Sequence, residues 1–463
     1  MEHIVFLTGR LAEKSVVQVL EGMANAPFTW EVREIGLQVA ALMTADMIRR
    51  RVALPLRADR MIVPGRCRGD LNALSEHFGV PVERGPEEAK DLPQHFGQAA
   101  RKFDLSRYST EIFAEIVDAP RLDLDGIAAR AKLYAEQGAD VIDVGCLPDT
   151  PFPHLEDAVR MLKAGGYRVS VDSMVADELL RGGRAGADYL MSLNVDTLWI
   201  ADGVSATPIV VGREPRDTAS LHQAIDTMLK RGRPFLADPI LDPIPFGFAA
   251  SIARYVALRE RYPDIAIMLG VGNLTELIEA DTSGINAVLL GIAAELNVSA
   301  VLTTSVSLHA RRAVREADVA RRVMHAAHDA QVLPKGIDPS LSALHAKRPF
   351  PYDANEIAAF AAQVRDPNFR VQVTTDGVHV YNREMHLVDG DPFALYPHLK
   401  LEHDGGHAFY MGVQTARAEI AWELGKRFDQ DQPLDWGCQV DRPEENLEVW
   451  CGPGTTRKRG ASS

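Results

Sequence analysis

The sequence predicts an α/β protein: a central (β/α)8 barrel, a doubly wound α/β domain before it and a small α+β domain after it. Three observations lead there. Between residues 108 and 330, eight short apolar, β-branched runs alternate with amphipathic helical stretches. Such strands, apolar almost throughout and joined by helices, mean a parallel sheet covered on both faces, and eight of them fit a closed barrel. The rival arrangement is a second doubly wound open sheet. Before residue 105 a separate strand–helix alternation runs its own course, and after residue 331 the periodicity is lost. At 463 residues the chain is too long for one core, and about three domains are expected.

The N-terminal segment, 1–105, reads in order as strand "HIVFLTG", helix "LAEKSVVQVLEGM", strand "TWEVREIG", helix "VAALMTADMIRRRVA", strand "ADRMIVPG", helix "GDLNALSEHFG" and extended "VPVERG". Alternation of this kind implies a small doubly wound domain. Its first strand ends "TGRLAEKS", with no GxGxxG and no GKS/T, so no nucleotide signature is present. The charged "GPEEAKDLPQHFGQAARKF" reads as a linker.

In the barrel segment, 108–330, the eight strands are "EIFAEIVDAP", "ADVIDVG", "RVSVDS", "ADYLMSLN", "TPIVVGR", "PFLADPIL", "IAIMLGVGN" and "VSAVLTTSVS". Helices are expected between them, including "LWIADGVSA" and a single long one through "NLTELIEADTSGINAVLLGIAAELN"; "HARRAVREADVARRVMHAAHDA" closes the series. The segment 331–463 begins Pro-rich, continues through a β-rich run around "RVQVTTDGVHVYNREMHLVDG" that suggests a hairpin, and carries an amphipathic helix at "MGVQTARAEIAWELGKRF". His379, His386, His398, His403 and His407 match no HExxH spacing and read as scattered surface histidines.

Bulk composition narrows the function classes. A formal net charge of −14 argues against a broad nucleic-acid or anionic-membrane surface. The four cysteines, Cys67, Cys146, Cys438 and Cys451, form no CxxC pair, which excludes the zinc-ribbon and disulfide-scaffold patterns. No stretch reaches about 18 apolar residues and the N-terminus lacks a signal-peptide pattern. A cytoplasmic protein with reduced thiols is expected, and the tail "TRKRGASS" reads as a frayed end.

In a barrel the strand C-termini point into the mouth where chemistry occurs. Read in turn, they deliver Asp118 in "VDAP", Asp143 with Asp149 beyond it, Asp172, Asn194 with Asp196, Arg213, Asp238 with Asp242, and Asn273. A single Asp or Asn at such a place is usually the cap of the next helix. When nearly every strand delivers one to the same mouth, they converge instead on a ligand rich in N–H donors, or on a metal.

The strand ends "IDVG", "VSVDS", "SLN" and "ADPIL", in that order, resemble the pterin-binding barrel superfamily, which holds dihydropteroate synthases and the pterin-dependent methyltransferases. The resemblance covers residues 108–330. It implies a reduced pterin as substrate or cofactor, with Asp172, Asn194, Asp238 and Asn273 binding it and Asp143 supporting the floor of the site. The chain lacks three phosphate-handling elements of the synthases: it has "EIVDAP", "GVGNLTEL" and "LTTSVS" where they carry an Asn-x-Thr-Pro-Asp-Ser-Phe loop, a Ser-Arg-Lys and an Arg-x-His. "DPILDP" and "GVGN" are closer to the methyltransferase branch, whose cobalamin motif Asp-x-His-x-x-Gly is absent. The three-part architecture is similar to dihydropteroate synthase-related proteins of methanogens and methylotrophs.

That likeness implies a transferase of tetrahydromethanopterin biosynthesis, joining a dihydropterin pyrophosphate to an arylamine. Arg213 is then the strand-end cation for phosphate, and Asp118 or Asp143 the carrier of a magnesium ion. It also implies a homodimer, with or without a further partner subunit. A one-carbon transferase and a catalytically silent pterin-binding subunit stand as alternatives.

Overall fold

The computed structural model describes residues 1–23, 26–87, 89–96, 103–442 and 446–448. Cys451 and the basic tail lie outside them, as does most of the second half of the expected linker. The described chain divides into two compact units. One is the barrel, Phe103–Ala343 together with Trp436–Val440; the other combines the N-terminal segment with Leu344–Asp435 and the chain's end.

The barrel is closed and wholly parallel. Its strands are β5 (Glu111–Ile116), β6 (Val141–Gly145), β7 (Arg168–Asp172), β8 (Tyr189–Leu193), β9 (Thr207–Val210), β10 (Leu236–Ala237), β11 (Ala266–Gly270) and β12 (Ala300–Thr304), and β12 pairs back to β5. All eight runs read from the sequence are strands. The alternation of side chains along each strand builds two cores. Ile112, Ala114, Ile142, Val144, Val169 and Val171 point outward into the helical shell. Phe113, Val141, Met191, Ile209, Leu236 and Met268 point inward and plug the barrel's middle. Two residues beyond Phe113, Val141, Ser170 and Leu236 on their strands stand four carboxylic acids, Glu115, Asp143, Asp172 and Asp238.

Helix boundaries are written in local chemistry. Asp123 and Asp217 cap helices Leu124–Gln137 and Thr218–Arg231 by accepting backbone N–H groups, and Gly138 and Gly232 end them in the left-handed conformation. Gly138 has a second constraint, since a Cβ there would meet the Asp318 side chain at 2.5 Å. Two expected helices differ. "LWIADGVSA" forms only a 3-10 helix, Leu198–Gly203, and the long stretch after β11 breaks into Gly272–Thr275 and Thr282–Glu295. In the second case Asp281 precedes a new helix, five residues (276–280) after the first one ends.

The closing helix Ala313–Asp329 is tied down by buried polar groups. Arg321 pairs with Asp318 and Asp140, donates to the carbonyls of Thr110 and Gly138, and lies 3.5 Å from the centroid of the Tyr108 ring. Glu316, fully buried, accepts from Thr282, Asn286 and Gln439. Arg312 donates to the Cys438 carbonyl. These contacts explain why residues 436–440 belong with the barrel, which no composition shift foretells.

In the other unit a parallel sheet of order β2-β1-β3-β4 contains β1 (Glu2–Thr8), β2 (Phe28–Glu34), β3 (Arg60–Val63) and β4 (Val82–Arg84). The expected linker is partly structured: Ala89–Asp91 and Leu92–His95 are short helical turns, and Leu92 is buried in the N-terminal core. The C-terminal segment forms a three-stranded antiparallel sheet, β13 (Arg370–Thr374), β14 (Gly377–Tyr381) and β15 (His386–Asp389), rather than a simple hairpin, with the helix Gly405–Leu424 beside it. Not all of its histidines are on the surface. His379 is buried on the central strand, sharing hydrogen bonds with Thr374 (2.9 Å) and His386 (3.0 Å). No helix among the described residues is long and apolar enough to cross a membrane.

Candidate functional site

The candidate site is the upper inner layer of the barrel, where the strand ends carry carboxylates above an apolar plug. Oxygens of Glu115, Asp143 and Asp172, on the neighbouring strands β5, β6 and β7, lie within 4.8 Å of one another. Register explains the meeting: Glu115 pairs with Asp143 across β5 and β6, and Asp172 is level with Gly145, whose missing side chain opens the space. A Cβ at Gly145 would stand 2.7 Å from the Glu115 carboxylate.

Asp143 is 0% exposed and neither of its oxygens has a hydrogen-bond partner. A buried carboxylate in that state is costly to ionise. Burial first, then the negative Asp172 and Glu115, hold its pKa well above the ordinary range; the neighbouring Ser170 hydroxyl offsets this slightly. Burial likewise pushes Glu115 up to about 7, with Asp172 adding to it. Asp172 is raised by burial and eased by Ser192, whose hydroxyl donates to it at 2.9 Å. Ser192 sits at an irregularity in the β8–β9 pairing with φ of 66°, a conformation that costs a non-glycine residue energy and often marks functional sites.

Asp238 is better provided for. It accepts from the Tyr255 hydroxyl at 2.6 Å and from the Ile240 N–H at 2.7 Å. Ile240 itself has φ of 63°. Burial nevertheless lifts Asp238 to about 6, against the pull of those two donors. Beside the group, the Cys146 thiol is pushed up by burial and by Glu178, which in turn accepts from Ser173 at 2.5 Å. Cys146 is therefore a neutral thiol, not a thiolate nucleophile.

The residues singled out from sequence divide in two. Asp143 and Asp172 are in the carboxylate group, and Asp238 is near enough to Asp172 to feel its charge. Asn194 stands at the end of β8 with its side-chain oxygen accepting from the Asp196 N–H, which leaves its amide N–H groups free of that turn. Asn273 is exposed and donates to the Leu241 carbonyl at 2.7 Å. Arg213 is exposed and holds Asp196 through two hydrogen bonds, 2.7 and 3.1 Å. Asp118 needs correction. It lies two residues beyond the end of β5 at Ile116, precedes the 3-10 turn Ala119–Arg121 and is not in the carboxylate group.

Glu115 is the residue that the sequence reading missed. Its signal was available: Phe113 and Glu115 are two apart on one strand, so an inward Phe113 makes Glu115 inward too. Ser192 and Tyr255 had no such signal, since a bulge and a helix packed over a strand bring them in.

A separate cavity of about 460 Å3 opens in the other unit, lined by the loops that follow β1 to β4 and by Tyr352, Phe360 and Phe428. None of the residues singled out from the sequence lines it.

Comparisons with known proteins bear on the two units differently. A family of unknown function (DUF6513) matches residues 2–87. Over nearly the whole length, the chain is similar to an uncharacterized protein of Methanocaldococcus jannaschii, 25% identical over 521 residues that cover 93% of this chain and 98% of the relative. Among solved structures it is similar to a Yersinia pestis dihydropteroate synthase holding a pterine-sulfa conjugate, at 18% identity, 49% of this chain, 95% of that one and a TM-score of 0.38. The dihydropteroate synthase of Xanthomonas albilineans in complex with 7,8-dihydropteroate gives 16% identity, 50% and 96% coverage, and again 0.38. The barrel assignment rests on the closed strand order and not on these scores.

Proposed function

We propose that the barrel mouth binds a reduced pterin and that the protein is a transferase of the dihydropteroate synthase type, acting in tetrahydromethanopterin biosynthesis. The observation that carries the reading is the inner layer of Glu115, Asp143, Asp172 and Asp238. A layer of acceptors with so few donors of its own complements a flat heterocycle whose amino and ring N–H groups form a guanidine-like edge. Asp172 and Asp238 are assigned to those N–H groups, Asn194 to a ring edge that both donates and accepts, and Asp143 to support from below.

In the proposed reaction the aniline nitrogen attacks the pterin's methylene carbon. A C–N bond forms, the C–O bond breaks, and pyrophosphate leaves with the bonding pair; the aniline proton passes to solvent or to a mouth carboxylate. Holding the two partners together supplies much of the rate. Arg213 meets the pyrophosphate by exchanging Asp196 for a phosphate oxygen. A cytoplasmic homodimer, with or without a partner subunit, belongs to the same proposal.

Titration calorimetry of the purified protein with reduced pterins tests binding, and no affinity for any of them would overturn the reading. Asp172→Ala is expected to abolish binding; unchanged affinity would sink the residue assignment. Incubation with hydroxymethyl-dihydropterin pyrophosphate and an arylamine is expected to release pyrophosphate. Binding without release, with every arylamine tried, would leave a one-carbon transferase or a silent pterin-binding subunit in its place.

A further inference from the structure

We propose that Glu115, Asp143 and Asp172 hold one hard divalent cation, of the magnesium or manganese kind, at the floor of the barrel mouth. The three carboxylates come from adjacent strands, each offering an oxygen within 4.8 Å of the others. Acidic groups gather in many proteins without a metal, so the proposal stands on a second observation. Both oxygens of Asp143 lack a partner in hydrogen-bonding geometry although the residue is fully buried; its register neighbour Ser170, also fully buried, has its hydroxyl close to that carboxylate yet outside such geometry and bonds to nothing else. Buried polar groups are nearly always satisfied, and an orphaned set around one point calls for something that fills it.

The surroundings say what fills it. The charges acting on Asp143 are Asp172 and Glu115, both negative. The carboxylates nearby that do have partners are bound otherwise: Asp238 by Tyr255 and Ile240, and one oxygen of Asp172 by Ser192. Each remaining donor atom is oxygen, which suits magnesium, manganese or calcium rather than zinc or copper. Three carboxylates leave coordination positions open toward the mouth for water or a substrate oxygen. Gly145 leaves the room that the Glu115 carboxylate occupies, since a Cβ there would meet its oxygen at 2.7 Å.

The proposal does not rest on the pterin reading, and one experiment separates them. Full-length protein is stripped with EDTA and titrated with Mn2+ at pH 7.5, free Mn2+ being followed by electron paramagnetic resonance. One saturable site per chain is expected. Glu115→Gln and Asp143→Asn should each weaken it at least tenfold, whereas Asp118→Asn should leave it unchanged. If either of those first two variants does not fold, Gly145→Ala takes its place, with the same tenfold loss expected. No saturable Mn2+ site in the wild type, as expected if the three carboxylates share protons instead, overturns the proposal; so does affinity unmoved by these substitutions. A reduced pterin is titrated into stripped and Mn2+-loaded protein in parallel. Pterin binding without a Mn2+ site overturns the cation alone, and a Mn2+ site without pterin binding overturns the pterin reading alone.

Discussion

Glu115→Gln is expected to make the metal-free barrel more stable at pH 8 and to change little at pH 4. Glu115 is held up to about 7 by burial and by Asp172, against an ordinary value of 4.5. A carboxyl whose folded pKa lies above its unfolded one contributes fully below the unfolded value, and that contribution is lost as pH rises through the folded value. The window is therefore pH 4.5 to about 7. At about 1.36 kcal/mol for each pH unit, the ionised side chain costs about 3 kcal/mol by pH 8, and the group's partial exposure to solvent reduces this to roughly 1–3 kcal/mol. Glutamine keeps the shape and removes the charge, so it should recover that amount and also relieve Asp143 and Asp172. Urea unfolding in EDTA at pH 4, 6 and 8, comparing variant with wild type at each pH, measures the difference directly. A variant whose stability runs parallel to the wild type across this range would refute the reasoning.

The other unit should respond to pH in the opposite sense. His379 is pushed down to about 4 by burial and by the neighbouring His386; its neutral form is favoured on folding, so stability present above pH 6.5 is lost as pH falls toward 4, by up to about 3 kcal/mol. Replacement by Gln should flatten that acid limb, and an unchanged limb in urea unfolding would contradict it. Arg321→Ala leaves Asp318 and Asp140 short of their buried partner and should destabilise the barrel by about 3–5 kcal/mol; a loss under 1 kcal/mol in the same assay counts against this network. Gly145→Ala should cost about 1–3 kcal/mol through overpacking against Glu115, visible as a lower thermal midpoint, and a neutral result would mean that the Glu115 carboxylate moves freely.

The barrel was legible because its signal is local and repeated. A strand buried on both faces must be apolar throughout, and eight such runs with helices between them leave few other architectures. The polar strand ends Asp143, Asp172 and Asp238 were legible for the same reason, since a charge that interrupts an apolar strand has little structural excuse. Where strands end was less clear: "EIVDAP" extends the apolar run past Ile116, which pointed to Asp118 and away from Glu115. The return of residues 436–440 to the barrel depends on Glu316 and Arg312 meeting groups more than 120 residues away, and no window of sequence holds that information.

The sequence by itself thus determined the barrel, its order of strands and the acidic character of its mouth, because periodicity and burial act within a few residues. Only the tertiary structure decided which carboxylates meet. Closing the barrel sets Glu115 beside Asp143 and Asp172, brings Ser192 and Tyr255 to two of the acids, and leaves Asp143 with none, since partners for a buried charge are chosen by packing across strands and not along the chain.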